Sequence, residues 1–316
     1  MPLLGLKPIV VVGSINTDLV SLTERIPLVG ETVLGSDFKI YPGGKGANQA
    51  VAIARLGYPV RMIGRVGTDS FGREALQHLK SAGVGVELVE TRDGSSGIAV
   101  ICVSAKGENS IVVTPGANAT LTPSDVDEHI SVIRGASAVL AQLEIPIETV
   151  ERLGELCAQE GVPFLLDPAP AAVLPDSLFS RITWFTPNQS EAAFYANGHA
   201  AGTQFKSSSV ADELLRKGIR GIVLKMGSDG VSLSSHEGAL QSIPAYAVEA
   251  VDTTAAGDAF NGGFAVGLAK GMSPIESARF ASAVAGISVT RRGAQSSMPT
   301  IQEVKQFLLQ QTSGAD

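Results

Sequence analysis

The sequence predicts an α/β protein with a mainly parallel central sheet sandwiched by helices and a small β-sheet acting as a lid. Three observations carry that expectation. From Arg61 onward, short β-branched or apolar runs alternate with helical stretches, which is the rhythm of βα units. The segments Val33 to Ile40, Gly97 to Val103 and Ser110 to Val113 interrupt that rhythm and read as a separate small sheet. Several apolar runs end in polar groups: Gln142 and Glu144, Asp167, Asn188 and Glu191, and Gly227-Ser-Asp-Gly230. In a parallel sheet the carboxyl ends of the strands share one edge, so these groups converge.

In chain order, Ile9 to Val12 is a β-branched run closed by Gly13 and reads as a buried first strand. Gly13-Ser-Ile-Asn-Thr-Asp18 then sets Asn16 and Asp18 beyond a strand end, where two such groups can grip adjacent hydroxyls of a polyol; a polar turn opening a second strand explains them equally well. The hairpin of Gly97 to Val103 and Ser110 to Val113 turns around Ala105-Lys-Gly-Glu. Pro42-Gly-Gly-Lys-Gly-Ala-Asn-Gln49 precedes a helix carrying Ala50, Ile53, Ala54 and Leu56. Its glycines permit close backbone approach, and Lys45 and Asn48 are polar on an apolar helix start, which favours a ligand contact over a plain turn. The leading glycine spacing differs from a Walker A loop, and no Ser or Thr follows Lys45.

Strands are expected over Arg61–Val66, Ala138–Ala141, Pro163–Leu166, Thr183–Thr186 and Gly221–Lys225, and helices over Ser70–Ala82, Pro146–Gln159 and Ser209–Lys217. In the helical last third, Ser273-Pro-Ile-Glu276 and Thr300-Ile-Gln-Glu303 are capping boxes. The polar loop Arg291 to Ser297 separates them, and Thr312 to Asp316 reads as a frayed tail.

The stretch Ala250 to Phe264, AVDTTAAGDAFNGGF, organises the chain. Phe260, Phe264 and Leu268 fall at helical spacing, so Ala255 to Asp258 sit at a helix N-terminus. Unpaired amides and the positive dipole end make an anion site there, and the small side chains let a phosphate reach the backbone. An acid inside an anion site makes sense if Asp258 takes a proton from a hydroxyl while the amides hold the phosphoryl group it attacks. The plainer alternative is a tight turn in which Asp258 only favours the helix dipole.

At 316 residues, 44% hydrophobic and 17% charged, the chain can bury a large core; it is read as one domain over residues 1–316, with its lid formed by insertions at about 17–42 and 96–115. A net charge of −7 argues against nucleic acid or an anionic membrane as partner. Two cysteines (Cys102, Cys157) and four scattered histidines (His78, His129, His199, His236) give no disulfide framework and no zinc pattern. Ile9 to Val12 is too short for a membrane span or signal core, so a cytoplasmic location is expected. The sequons at Asn118 and Asn188 carry no meaning without secretion. The unsupported apolar face of the small sheet predicts a homodimer through it.

Together, Gly13-Ser-Ile-Asn-Thr-Asp18, Gly43-Gly-Lys-Gly-Ala-Asn-Gln-Ala50 and Asp252-Thr-Thr-Ala-Ala-Gly-Asp-Ala-Phe-Asn-Gly262 resemble, in order, the PfkB carbohydrate kinase family over roughly residues 9–310. The resemblance implies an ATP-dependent kinase acting on the 5-hydroxyl of D-ribose, with deoxyribose, fructose or a nucleoside as alternative substrates and a non-catalytic sugar or nucleotide sensor as the alternative class. It implies sugar contacts from Asn16, Thr17, Asp18, Gly43, Gly44, Lys45, Gly46, Ala47, Asn48 and Glu144. Asp258 is then the base, and Ala255, Ala256 and Gly257 form the anion hole. ATP is met by Asn188, Lys225, Met226, Gly227, Ser228, Asp229, Gly230, Gly257, Asp258 and Ser282. Asn188 and Glu191, an N-x-x-E motif, are associated with Mg2+, while Asp252, Thr254, Ser288, Arg291, Gly293 and Ser297 match a loop that holds an activating monovalent cation, usually K+. The chain departs from the family pattern at Asp167 (often asparagine), Lys225 (commonly threonine) and Ser282 (often His or Asn).

Overall fold

A computed structural model of the chain describes residues 5–197, 207–236 and 238–313. Its strands are β1 (Ile9–Val12), β2 (Asn16–Thr23), β3 (Gly35–Gly43), β4 (Val60–Gly67), β5 (Gly85–Arg92), β6 (Gly97–Ser104) and β7 (Asn109–Thr114). They continue with β8 (Ala138–Gln142), β9 (Phe164–Asp167), β10 (Trp184–Phe185), β11 (Gly221–Lys225), β12 (Val231–Ser235) and β13 (Gly238–Ile243). Nine of them form one sheet in the order β13-β12-β11-β10-β9-β8-β1-β4-β5, parallel from β11 to β5, with β12 and β13 antiparallel at one edge. The other four form a second sheet, β3-β2-β6-β7, parallel between β2 and β6 and antiparallel elsewhere.

Strand periodicity explains why the large sheet is covered on both faces. Ile9 and Val11 belong to one apolar cluster and Val10 and Val12 to the other, because successive side chains point to opposite faces. The first cluster packs the helices Lys45–Arg55, Ala256–Ala269 and Pro274–Ser288; the second packs Ile147–Glu160, Gln189–Asn197 and Ser207–Arg216. The expected capping box at Ser273 closes, with Glu276 Oε2 accepting from Ser273 N at 2.9 Å, and the one at Thr300 does the same through Glu303 at 2.7 Å.

Three strands carried too little sequence signal to anticipate. In β12, Val231 and Leu233 alternate with buried serines 232 and 234, so a core strand reads as a polar stretch. β5 and β13 are the two edges of the sheet, where polar residues are tolerated. The strand expected over Thr183–Thr186 contracts to Trp184–Phe185, the small-sheet strand expected to stop at Ile40 runs on to Gly43, and the helix expected from Ser209 begins at Ser207. The helix Ile301–Ser313 runs into the expected C-terminal tail, whose last residues, like His199, lie outside those described. Cys157 is buried as expected, and Cys102 is half-buried on the small sheet, its Sγ 3.4 Å from Thr23 Oγ1.

Candidate active site

Along the carboxyl edge of the parallel strands lies a cleft of about 870 Å³. Asp167, Asn188, Glu191, Lys225, Gly227, Ser228 and Gly230 line it from the strand ends, and Lys45, Ala255, Ala256, Gly257 and Asp258 line it from two helix starts. Of the strand-end groups expected to converge, these line the cleft, whereas Gln142, Glu144 and Asp229 are not part of its lining.

Asp258 lies in the first turn of the Ala256–Ala269 helix and is 4% exposed. Its Oδ2 accepts from Asn48 Nδ2 at 2.9 Å and its Oδ1 from Gln49 Nε2 at 3.1 Å. Burial raises its pKa to about 6; Lys45 pulls it down and Asp167 pushes it up. The N-cap residue, Ala255, has φ 58° and is the only non-glycine with positive φ among the described residues. Ala256 N already donates to Thr253 O at 3.2 Å, which leaves the amides of Gly257 and Asp258 without a main-chain acceptor among the described residues. Of the three small residues expected to form the anion hole, Gly257 thus offers a free donor, Ala256 shares one, and Ala255 sets the direction of the turn.

The residues assigned to the sugar gather where the two sheets meet. Asn16 and Asp18 lie in β2 itself, paired with Gly43 and Tyr41 of β3. A side chain on Gly43 would collide with the Asp18 carboxylate, and one on Gly44 (φ 89°) with the backbone at Asn16. Gly46 and Ala47 pack against the corner after β1, where Ala47 N donates to Ser14 O at 2.9 Å. The glycines of this motif therefore let protein approach protein, a use that their spacing alone does not distinguish from ligand approach. Glu144 Oε2 accepts from Ser14 Oγ at 2.5 Å and from Lys45 N at 3.1 Å. Thr17 is buried, opposite Pro42.

Charge is concentrated here. Asp18 is raised to about 6 by burial and then by Glu144 and Asp258. Burial pushes the Lys45 ammonium down, but Asp258, Asp167, Glu144 and Glu191 together outweigh it and hold Lys45 above its ordinary value.

On the other side, Lys225 pairs with Asp167 at 3.0 Å, so two of the departures from the family pattern meet in one ion pair. Asn188 and Glu191 form a helix cap: Glu191 accepts from Asn188 N at 2.8 Å and Nδ2 at 2.9 Å, while Glu191 N donates back to Asn188 Oδ1 at 2.9 Å. Glu191 is raised, first by burial, despite the pull of Lys225. Gly227, Ser228 and Gly230 line the cleft, whereas Met226 packs on the core and Asp229 lies outside the lining. The buried Ser282 lines the cleft beside Ala285, Gly286 and Val289, and its hydroxyl has no partner among the described residues.

Asp252 ties the proposed cation loops together: Oδ1 accepts from Thr254 N at 2.9 Å and Oδ2 from Gly293 N at 2.8 Å. Ser288 and Ser297 hydroxyls donate to Ala285 O and Ala294 O, which leaves their oxygens free to accept or ligate. The Arg291 guanidinium turns away to Glu303 at 2.6 Å, so only its main chain can serve this loop.

Several participants escaped the sequence reading. Asn118, expected only as an idle sequon, is 1% exposed and donates to Asn16 Oδ1 at 2.7 Å. Gln49 was visible in the glycine-rich motif, but nothing marked it as a partner of Asp258. Tyr246, Val248 and Ala250 line the cleft from an irregular segment after β13 that carries no periodic signal.

A buried carboxylate beside unpaired helix-start amides, between a polar, charged end and a cleft of about 870 Å³, defines a phosphotransferase for polyols. Residues 6–301 match the family described as pfkB family carbohydrate kinase, and the chain belongs to that family. It is 41% identical to the ribokinase of Bacillus subtilis over 96% of this chain and 100% of that one, and 41% identical to that of Haemophilus influenzae over 96% and 98%. Its fold superposes on the Arabidopsis thaliana ribokinase complexed with ribose and ATP with a TM-score of 0.90, at 33% identity over 96% and 99% of the two chains.

Proposed function

We propose that this kinase transfers the γ-phosphoryl group of ATP to the 5-hydroxyl of D-ribose. The observation that carries the reading is Asp258, buried at the junction of the cleft and the Asn16, Asp18 and Lys45 end, beside free helix-start amides. The hydroxyl oxygen attacks the γ-phosphorus, the bond to the bridging oxygen breaks, and its electron pair leaves with ADP. Asp258 takes the hydroxyl proton; a base with a pKa of about 6 is ionised at neutral pH and still strong enough to accept. Gly257 and Asp258 amides donate to the phosphoryl oxygens as charge shifts among them. Asn16, Asp18 and Lys45 orient the sugar, and Ser282 and Tyr246 flank the base of the nucleotide.

Among the described residues no group of three or more His, Cys, Asp or Glu could hold a metal ion, and Glu191 is engaged by Asn188. That fits Mg2+ arriving on the nucleotide, with Asn188 and Glu191 as outer partners, rather than a dedicated protein cage. When bound, the ion neutralises phosphate charge. Asp252 with surrounding carbonyls and the Ser288 and Ser297 oxygens suits K+, which would order the loop before Ala255. The small sheet serves as lid within one domain, and its exposed Phe38, Ile40, Val100 and Val112, which share one face, support a homodimer through it. No described helix is long and apolar enough to cross a membrane, and both cysteines are free, in keeping with a cytoplasmic enzyme.

ADP release measured against D-ribose, deoxyribose, fructose and a nucleoside tests the reading. Ribose should give the highest kcat/KM; ribose-independent release, or preference for another sugar, overturns it.

A further inference from the structure

Behind Asp258 lies a set of buried amides with no part in the chemistry above. Gln49 is fully buried, and its single Nε2 donates to two carboxylates, Asp258 Oδ1 at 3.1 Å and Asp167 Oδ2 at 3.0 Å. An amide facing carboxylates on one side must present its NH2 group there, one hydrogen to each. Its oxygen then needs a donor, and Gln142 Nε2 supplies one at 2.7 Å. Gln142, also fully buried, sits at the end of β8, and satisfying Gln49 leaves its own Oε1 without a partner among the described residues. That oxygen crowds Gly13, where no larger residue fits. An orphaned buried carbonyl costs about 1–3 kcal/mol, so plain core packing would not select this glutamine.

We propose that Gln49 is a positioning residue: locked in orientation by Gln142, it bridges the catalytic Asp258 to Asp167 and so ties the base to the nucleotide-side lysine, Lys225. The proposal rests on Asp258 being the base. Rotation of Asp258 is then opposed from both of its oxygens, by Asn48 and by Gln49. The bridge also explains why the Asp167–Lys225 pair lies within reach of the reaction centre: the Asp167 carboxylate shares one donor with the base while its other oxygen holds Lys225. Charged groups facing Asp258 come from every element around it. They are Asp18 on β2, Lys45 on the Lys45–Arg55 helix and Asp167 on β9, with Glu144 and Lys225 acting through Lys45 and Asp167. Gln49 is the neutral member that decides how closely two like charges, Asp167 and Asp258, share the site.

The decisive variant is Gln142→Met, because the Gln142 side chain hydrogen-bonds to Gln49 and not to Asp258 or to any residue assigned to substrate. Losing its donor frees the Gln49 amide to turn, which removes a hydrogen bond that favours ionised Asp258. The acid limb of the kcat–pH profile should move to higher pH, with kcat at pH 6 lowered about 3–10-fold and kcat at pH 9 within about twofold of the parent. Gln49→Met should do the same more strongly, and the double variant should match Gln49→Met alone, since both act through one bridge. KM for ribose and ADP affinity should stay put. An unmoved profile in Gln142→Met with melting unchanged, or effects of the two substitutions that add, overturns the proposal. Asp258→Asn is measured alongside: turnover surviving it would fail the base assignment, an outcome separate from failure of the bridge.

Discussion

The two sheets are built from similar residues and are used in opposite ways. In the large sheet β1, β8 and β9 are buried along their whole length. In the small one β7 is exposed at every position, and the first six residues of β3 are exposed too. Yet β7 carries Ile111, Val112 and Val113, as apolar a run as Ile9 to Val12. Apolar β-branched sequence makes a strand; the number of helices packed on it decides whether the strand is core or surface. The large sheet holds the molecule together and delivers polar groups to one edge. The small sheet joins that edge through β2 and β3 but leaves an apolar face uncovered, which suits an element that closes over a ligand or meets a second copy.

The contrast can be broken or sharpened by substitution, beginning with the largest effect. Asp258→Asn, at the edge the large sheet delivers, should lower kcat about 10²–10⁴-fold while ribose still binds. The folded pKa of Asp258 is raised to about 6, so its stabilising protonated form is complete below its unfolded value and lost as pH rises through 6. The asparagine variant escapes that loss, and its unfolding free energy should gain on the parent by on the order of 2 kcal/mol between pH 4 and pH 8. Denaturant melts at the two pH values check the sign, and kcat of the parent should itself fall as pH drops below 6.

Next come the two apolar surfaces. Phe264, fully buried beside Trp184, should cost about 3–5 kcal/mol as alanine, whereas Val112→Ala should stay within about 0.5 kcal/mol in the isolated subunit. Equal losses would erase the distinction between the sheets. Phe38→Lys with Val112→Lys should convert dimer to monomer in sedimentation without unfolding the subunit; a parent that is monomeric at micromolar concentration refutes the shared face. Smallest is the cation effect: exchanging K+ for Li+ should reduce kcat several-fold, and an indifferent enzyme removes the Asp252 loop from the mechanism.

What was legible in the sequence follows from what each residue does alone. The parallel sheet, its polar edge and the helix start at Ala256 were legible because period and spacing are local properties. The pairings were not. Asn118 meets Asn16 across 102 positions, and Gln49 meets Asp258 across 209, distances over which no spacing rule operates. N-x-x-E was legible as a motif; the cap in which Glu191 accepts from Asn188 N and Nδ2 was not. The edge strands of the large sheet and the segment carrying Tyr246 gave no signal because neither is apolar on a fixed period.

Ala255 carries one more consequence. A left-handed alanine is disfavoured by about 1–2 kcal/mol, and a glycine there would relieve this while adding nearly as much entropy to the unfolded chain. Ala255→Gly would therefore leave the melting temperature almost where it is and slacken the joint that aims the Gly257 and Asp258 amides. At this position turnover gauges stiffness, and thermal resistance says nothing about it.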